Sequence, residues 1–384
     1  MGNFFKSVSI GAMMLLNIIV AALYLACSFA PFLHPKTWWF TGFLGLFFPY
    51  IFLLLLLFLM FWIFVRTKRA FFPLLVMLAG FSAVGNHISF KRGDDFSQEK
   101  QPGSIRFMDW NLRHFIPFDE SMFKPDQDKH LQLILDQVKK YQPDVICFQE
   151  FVSMPAEGKK DPMYHLEHVL GYKYHQFAGE DIFDTKQYSG IAIFSRLPIA
   201  RGGVIPFSPA SPDANAENTV FADVIDGADT LRIYAVHFQS FGFGAREYGV
   251  IDDVKAKNDS SVIQSKQLIK KMRNTFYWHG VQSDFIVNEM ASSPYPTFVM
   301  GDLNDVPGSY TYSVVRGKRK DAFLEKGIGL GATFTSSSSF MLQLLPTLRI
   351  DYIFHPNQYE ALQFTQGGKR LSDHSFLVSD IRKK

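Results

Sequence analysis

Three apolar runs occupy the first 90 residues, and they constrain the fold more than any other feature of the chain. They extend over about residues 10–33, 38–65 and 70–86. A helix that spans a bilayer needs roughly 20 apolar residues, so the first two runs suffice, while the third is short and needs its last residues, Gly85 and Asn86. The sequence therefore predicts a membrane anchor of three transmembrane helices in residues 1–90, with the lipid bilayer as a partner.

The first run has an alternative interpretation as a cleaved signal peptide, because Lys6 precedes it. The apolar stretch is longer than the roughly 15 residues of a usual signal-peptide core, which argues against cleavage. The segment "LYLAC" ending at Cys27 weakly resembles a lipoprotein cleavage site, but Tyr24 stands where leucine is typical. We expect the run to be retained, and the sequence leaves cleavage open.

The short loops between the runs predict the orientation of the anchor. The "RTKR" loop at 66–69 carries three positive charges and is expected to stay in the cytoplasm, while the loop around Lys36 carries one. Three crossings then place the amino terminus inside and residues 91–384 outside the cytoplasm. Lys91 and Arg92, just after the third run, favour the opposite orientation.

The basic residues of the anchor account for the positive net charge of the chain. Residues 1–90 contain five lysines and arginines and no acidic residue. Subtracting these five from the 39 basic residues of the whole chain leaves 34, against 36 acidic residues, so residues 91–384 carry a net charge of −2. This part has no general excess of positive charge for polyanions, which disfavours nucleic acid as a partner without excluding it.

Residues 91–104 are polar and contain Gly and Pro, which predicts a tether before a folded domain over 105–384. One helical pattern begins at Asp128, and a second extends from Ser260 to about Met290. Two stretches, 202–216 and 240–257, are expected to be loops. The buried stripe of the long helix is expected to consist of Ile263, Leu268, Ile269 and Met272. The strand candidates are "IRFMDWNL", "DVICFQE", "KYHQFA", "SGIAIFS", "NTVFADVI", "TLRIYAVHF", "PTFVMGD", "RIDYIFH" and "HSFLVSDI".

Strands outnumber helices in this domain, and several alternate apolar with polar residues. One face of each sheet should therefore meet a partner sheet. The pattern predicts the α/β class with two packed sheets rather than a single doubly wound sheet.

Polar side chains recur where the strand candidates end or begin. Taken singly, Asn111 is explained as a turn cap, whereas a core histidine is only the alternative interpretation of His237. Glu150 is harder to explain in this way, because a carboxylate after a largely apolar strand needs a partner or a metal. The full set, which is hard to produce by turn preference alone, consists of Asn111, Glu150, His237, Asp302, Asn304, Asp351, Asp373 and His374.

Seven segments in this order resemble the endonuclease/exonuclease/phosphatase superfamily over about residues 105–382: "WNLR", "FQE", "YSGIAIFSR", "VHF", "GDLND", "RIDYIF" and "SDHSF". The resemblance implies a four-layered α/β sandwich of two packed mixed sheets, with the site at one edge. It also implies a phosphodiesterase or phosphatase that uses a divalent metal ion.

A phosphoester resists attack because its oxygens are anionic, so a catalyst must neutralise charge, activate water and protonate the leaving group. Oxygen ligands suit Mg²⁺, and Mn²⁺ is an alternative. Glu150 is the best candidate ligand, helped by Asn111 and, by resemblance, by Asp373.

The remaining polar residues are expected to act on the phosphate and the water. Asp302 would orient or deprotonate the attacking water, and Asn304 would hold that water or the phosphate. His374 would contact the phosphoryl oxygens while Asp351 fixes its tautomer. By resemblance to the deoxyribonuclease and sphingomyelinase branches, His237 would protonate the leaving group.

The sequence leaves the phosphoester substrate open. Arg113 stands where abasic-site endonucleases carry an acidic ligand, which argues against DNA repair, and "RIDYIF" lacks the "CDRI"-like signature of inositol polyphosphate phosphatases. Attachment to a membrane outside the cytoplasm favours a lipid headgroup or another extracytoplasmic phosphoester. The alternatives are a membrane-tethered nuclease acting on DNA or RNA and a catalytically silent interaction module.

Overall fold

A computed structural model of the chain describes residues 2–91, 95–118, 127–181, 186–207, 218–252, 259–336, 339, 343 and 347–384. Its α-helices are α1 (Gly2–Phe29), α2 (Thr41–Val65), α3 (Thr67–Ala79), α4 (Phe81–His87), α5 (Gln127–Tyr141), α6 (Pro162–Tyr164), α7 (Ala245–Asp252), α8 (Asp259–Ala291), α9 (Tyr310–Arg316) and α10 (Ala322–Lys326). Its strands are β1 (Ile105–Asn111), β2 (Val145–Ser153), β3 (Tyr174–Asp181), β4 (Tyr188–Ser195), β5 (Ile199–Ile205), β6 (Thr219–Asp226), β7 (Asp229–His237), β8 (Thr297–Asp302), β9 (Lys320–Asp321), β10 (Asp351–His355), β11 (Tyr359–Gly367) and β12 (Phe376–Lys383).

Two of the N-terminal helical segments, Ile10–Phe32 and Thr41–Val65, are long and apolar enough to cross a membrane. The third expected span, residues 70–86, is not a single helix. It consists of parts of α3 and α4, which are bent by 62° relative to each other. Gly80 lies at the bend, and a Cβ there would come within 2.6 Å of the Tyr24 ring. Helix α1 approaches closely at this glycine, where the helix breaks. The sequence does not predict the break, because the apolar run continues through it.

The strands form two six-stranded sheets, ordered β11-β12-β1-β2-β4-β3 and β5-β6-β7-β8-β10-β9. The pairs β1 with β2 and β7 with β8 are parallel. The other neighbouring pairs are antiparallel. Both sheets are therefore mixed, as the sequence predicts.

The two sheets pack face to face, and helices cover their outer faces. Along β1, Phe107 points into the core between the sheets and Met108 points outward, as the alternation of side chains in a strand requires. Ile134 and Val138 of α5 cover the outer face of the first sheet. Residues of α8 and α9 cover the second. The predicted four-layered sandwich is confirmed.

Several elements differ from the sequence-based expectations. The segment 202–216 begins within β5, and its residues 208–216 lie outside the described part of the chain. The expected loop 240–257 contains α7, and its residues 253–257 are likewise outside the described part. Strand β11 has no counterpart among the strand candidates. Both β5 and β11 are edge strands, where exposed polar residues weaken the apolar signal.

The long helix α8 is confirmed, but its expected buried stripe is wrong. Ile263 and Ile269 are 56% and 46% exposed, whereas Phe276, Ile286 and Met290 are buried. A 33-residue helix is about 50 Å long, while the six residues of β8 extend only about 20 Å. The helix is longer than the sheet beneath it, so its first turns project beyond the core.

The sandwich packs directly against the ends of the N-terminal helices. A Cβ on Gly45 of α2 would lie 3.0 Å from the carbonyl oxygen of Gly308, so the two backbones are in close contact. The rings of Phe43 and Phe276 are 5.2 Å apart. These contacts fix the position of the sandwich relative to α2.

The second half of the polar segment before β1 is hydrogen-bonded to the sandwich. Arg106 is 1% exposed, and its Nε donates to Oδ1 of the buried Asp380 at 2.6 Å. Its Nη1 donates to the carbonyl oxygen of Gln98, and the Gln101 amide donates to Asp380 Oδ2. This buried ion pair joins the segment entering the domain to β12.

We expect Arg106→Met to destabilise the fold by about 3–5 kcal/mol, because it leaves the Asp380 carboxylate buried without its partner. Guanidinium unfolding of the full chain in detergent measures the change. Arg382→Met is the matched control in the same sheet, since its ion pair with Glu360 is exposed and contributes under about 1 kcal/mol. The double variant Arg106→Met/Asp380→Leu should recover part of the loss, and equal losses in the two single arginine variants would contradict this role.

Candidate active site

The strand registers bring the predicted site residues to one edge of the two sheets. In the second sheet, His237 of β7 and Asp351 of β10 both pair with Asp302 of β8. In the first sheet, Asn111 ends β1 opposite Gln149, the residue before Glu150. Strand ends from both sheets therefore meet at one place.

Asp302 lies at the centre of this edge and is 1% exposed. The backbone amide of Asn304 donates to its Oδ1 at 2.7 Å, and Asn111 Nδ2 donates to its Oδ2 at 3.2 Å. The Nε2 atoms of His237 and His374 are each 3.7 Å from Oδ2. Burial, together with the nearby Asp351 charge, raises the pKa of Asp302 to about 6. A carboxylate with this pKa is suited to accept a proton from water near neutral pH.

Glu150 is directed into the site by an irregularity in β2. The pairing of β2 with β4 shifts register between Phe148 and Phe151, and Glu150 has a positive φ of 50°. A positive φ is costly for a residue with a side chain and often marks a functional position. The bulge places the Glu150 carboxylate at the sheet edge.

The Glu150 carboxylate is surrounded by positively charged or polar groups. His114 Nδ1 lies 2.8 Å from its Oε2, while His237 Nε2 lies 3.8 Å from its Oε1. Burial alone would raise the pKa of Glu150, but the His114 hydrogen bond and the His237 charge outweigh it, and the pKa is lowered to about 2. The side chain is therefore anionic at neutral pH and remains 21% exposed.

His374 and Asp351 form the orienting pair that the sequence predicts. Nδ1 of His374 lies 3.0 Å from both Asp351 carboxylate oxygens, which leaves Nε2 directed towards the site. Burial alone would lower the pKa of His374, but the Asp351 and Asp302 carboxylates outweigh it and raise the pKa well above its ordinary value. The ring is thus a cationic donor beside the cavity.

Asp373 and Asn304 complete the set. Asp373 Oδ2 lies 3.5 Å from Arg113 Nε, and burial raises the pKa of Asp373. The side-chain amide of Asn304 donates to the Phe238 carbonyl oxygen at 3.0 Å, which fixes its orientation. All eight predicted residues are therefore brought to one site, and their individual roles stay predictions.

The donor set fits a divalent cation in the cavity that Glu150 and Asp373 line. The like charge of Glu150 contributes to the raised pKa of Asp373, so a cation there would relieve repulsion between them. Each carboxylate is 21% exposed, and both supply the hard oxygen atoms that Mg²⁺ prefers. Asn111 as placed directs its Nδ2 at Glu150, and its Oδ1 accepts from the Arg113 amide, so ligation by Asn111 requires the amide to turn over.

A second acidic cluster lies deeper, where ligand atoms of Asp302, Asp351 and His374 fall within 4.8 Å of one another. The three side chains are buried, and Asp351 is already engaged with the His374 ring. We therefore favour Glu150 and Asp373 as metal ligands and the deeper cluster as the proton-handling part of the site.

Two neighbouring residues were not predicted. His114 follows β1 in a turn where residues 113–115 all have positive φ, and no sequence pattern indicates its contact with Glu150. Asp109 is fully buried between the sheets and accepts a hydrogen bond from Gln149 at 2.9 Å. Burial and the Asp351 charge raise the pKa of Asp109 well above its ordinary value. Its inward position in "IRFMDWN", in phase with Phe107, is the signal that could have identified it.

Comparison with known families agrees with this geometry. The model of the endonuclease/exonuclease/phosphatase family matches residues 110–250 and 272–374, which is more than half of the chain. The chain belongs to the endonuclease/exonuclease/phosphatase family, which includes phosphodiesterases, phosphatases and nucleases. A model for a domain of unknown function matches residues 10–87.

Three solved structures are similar to this chain at low sequence identity. The catalytic domain of human Nocturnin with bound sulfate is 17% identical, with a TM-score of 0.50 over 73% of this chain and 94% of that chain. An endonuclease/exonuclease/phosphatase from Beutenbergia cavernae is 19% identical, with a TM-score of 0.49 over 73% and 72% of the two chains. Humanized D. rerio TDP2 is 15% identical, with a TM-score of 0.47 over 73% and 100%. Among curated proteins the comparison finds no match.

If Asp351 acts only through the His374 ring, the two residues behave as one unit. We expect His374→Ala to lower kcat on bis(p-nitrophenyl) phosphate by on the order of 10² to 10⁴ with little change in KM. Asp351→Asn should also lower kcat, and the double variant should be scarcely worse than His374→Ala. His355→Ala, which removes another buried imidazole, is the control for general damage. Additive losses in log kcat would show that Asp351 works independently.

Proposed function

We propose that the chain is a divalent-metal-dependent phosphoester hydrolase, anchored in a membrane by its N-terminal helices, with its catalytic domain outside the cytoplasm. Its substrate is a lipid headgroup or another extracytoplasmic phosphoester. The observation that carries the proposal is the convergence of Glu150, Asp302 and His374, from three separate segments and both sheets, on one cavity.

The charge distribution of the site suits the hydrolysis of an anionic ester. A divalent ion held by Glu150 and Asp373, with Asn111, would neutralise charge on the phosphoryl oxygens. His374 donates from Nε2 to a phosphoryl oxygen on which negative charge grows in the transition state. Asp302 takes the proton of the attacking water.

His237 would protonate the leaving group. Its Nε2 lies 3.8 Å from Glu150 Oε1 and 3.7 Å from Asp302 Oδ2, next to both groups that would act on the metal and the water. Asn304, held by the Phe238 carbonyl oxygen, orients the water or a phosphoryl oxygen. These roles correspond to the three requirements of phosphoester hydrolysis: neutralised charge, activated water and a protonated leaving group.

Contacts along α2 support the proposed orientation. The sandwich contacts α2 at Gly45, near its first residues, whereas the basic "RTKR" loop follows its last residue, Val65. The 21 residues from Gly45 to Val65 extend about 30 Å along a helix, close to the thickness of a bilayer core. The basic loop and the sandwich are therefore at opposite ends of the span, which supports a cytoplasmic loop and an external domain.

The metal assignment predicts that Glu150→Gln loses hydrolysis of bis(p-nitrophenyl) phosphate, because glutamine keeps the shape of the side chain but not its charge. We expect a loss of at least about 10²-fold at limiting Mg²⁺, together with weaker Mn²⁺ binding measured by electron paramagnetic resonance.

Glu325→Gln is the matched control. Glu325 also has a pKa lowered to about 2, because contacts with His355 and Lys320 outweigh its burial, but it is not among the residues that line the catalytic cavity. It should retain activity and Mn²⁺ binding. Unchanged activity of Glu150→Gln at both limiting and saturating Mg²⁺ would contradict the metal assignment.

The orientation is tested with reporter fusions in a bacterial host. Alkaline phosphatase fused after Lys384 should be active, because that enzyme folds only outside the cytoplasm, and a fluorescent protein at the same place should be dark. Fusions after Lys68, within the basic loop, should give the reverse pattern. A bright fluorescent fusion with inactive phosphatase after Lys384 would reverse the orientation.

A further inference from the structure

The catalytic cavity has a second, apolar part. Its volume is about 280 Å³, near the lower end of the roughly 300–1,000 Å³ typical of small-ligand sites. Glu150, Asp302 and His374 line its polar part. The apolar part is lined by side chains that the proposed chemistry does not use, among them Phe241, Ile251, Met272 and Leu348.

One wall of the apolar part comes from the anchor itself. Leu46 of α2 lines the same cavity as the catalytic residues. It follows Gly45, whose backbone contact with Gly308 allows α2 to approach the loop that begins at Asp302. A side chain larger than glycine at either position would separate the helix from the loop. The anchoring helix is thus a structural part of the cavity.

Aromatic side chains connect the cavity wall to the first turns of α2. The rings of Phe241 and Phe276 are 5.4 Å apart, and those of Phe276 and Phe43 are 5.2 Å apart. Phe276 is 1% exposed, so these rings pack against one another and leave no open channel between them. Phe47, the neighbour of Leu46, is 54% exposed on a helix apolar enough to span a membrane. The apolar wall of the cavity is therefore continuous with apolar side chains of α2.

We propose that the cavity takes an amphiphilic phosphoester, with the phosphate at Glu150 and His374 and an alkyl chain against Leu46, Phe241 and Met272. This inference rests on the proposed function and names its substrate class. A small water-soluble phosphoester fills only the polar part and leaves the apolar walls in contact with water, which is unfavourable. Helix α2 thus acts both as anchor and as a wall that binds the substrate chain.

The test compares methyl p-nitrophenyl phosphate with dodecyl p-nitrophenyl phosphate, using the full chain in phosphatidylcholine nanodiscs with Mg²⁺. We expect kcat/KM to be about 10²-fold higher for the dodecyl ester, because burying about three or four methylenes of its chain, at about fourfold each, gives this factor. Leu46→Trp fills the cavity from α2 and should bring the dodecyl-to-methyl ratio close to one. Met272→Trp fills it from α8 and provides a second variant should Leu46→Trp fold poorly.

Leu57→Trp is the matched control, since Leu57 is a 57% exposed residue of the same helix, outside the cavity. It should keep the wild-type ratio, which removes any general effect of partitioning into the bilayer. A wild-type ratio near one, with clear hydrolysis of the methyl ester, would overturn the inference and leave the proposed function standing.

Three further outcomes also decide against the inference. If both cavity-filling variants retain the full dodecyl-to-methyl ratio, the alkyl chain of the ester binds outside this cavity. A thymidine p-nitrophenyl phosphate hydrolysed at least about tenfold faster than the dodecyl ester would favour a nuclease. Absence of hydrolysis for every ester would overturn the proposed function itself, and the inference with it.

Discussion

The site depends on the burial of one carboxylate, that of Asp302. A charge that is 1% exposed must be compensated by hydrogen bonds and opposite charges, or it destabilises the fold. The compensation comes from Asn111 in the first sheet, His237 in the second and His374 before β12. Because no single element supplies it, the two sheets and the loop before β12 must assemble correctly before the carboxylate is stable, and their assembly creates the site.

A second constraint is the contact between the catalytic sandwich and α2. Asp302 ends β8, and the loop that follows carries Asn304 and Gly308, whose backbone touches Gly45. The same few residues therefore hold polar groups of the candidate site and attach the sandwich to α2. This arrangement explains how the cavity acquires a wall from α2, which a sandwich on a flexible tether could not provide.

The alternation of the strand candidates predicts two packed sheets, and their polar ends single out the eight residues, because both are local signals. The mixed sheets and the position of the site at one edge follow from the family resemblance. The sequence does not predict the bend at Gly80 or the exposed first turns of α8. Both depend on which surfaces of these helices are packed against neighbouring elements, and the local sequence does not show this. The contacts of His114 with Glu150 and of Leu46 with the cavity were also missed, as each joins residues that local patterns do not relate. Roles within the site remain assignments from chemistry and geometry.

The central claim is that a divalent ion and a phosphate share the site between the two sheet edges. Electron-nuclear double resonance of the Mn²⁺-loaded full chain with saturating inorganic phosphate tests it most directly. The account predicts a ³¹P hyperfine coupling typical of phosphate coordinated to Mn²⁺, with weaker Mn²⁺ binding when Glu150 is replaced by Gln. Tightly bound Mn²⁺ without ³¹P coupling, or binding that does not depend on Glu150, would contradict it.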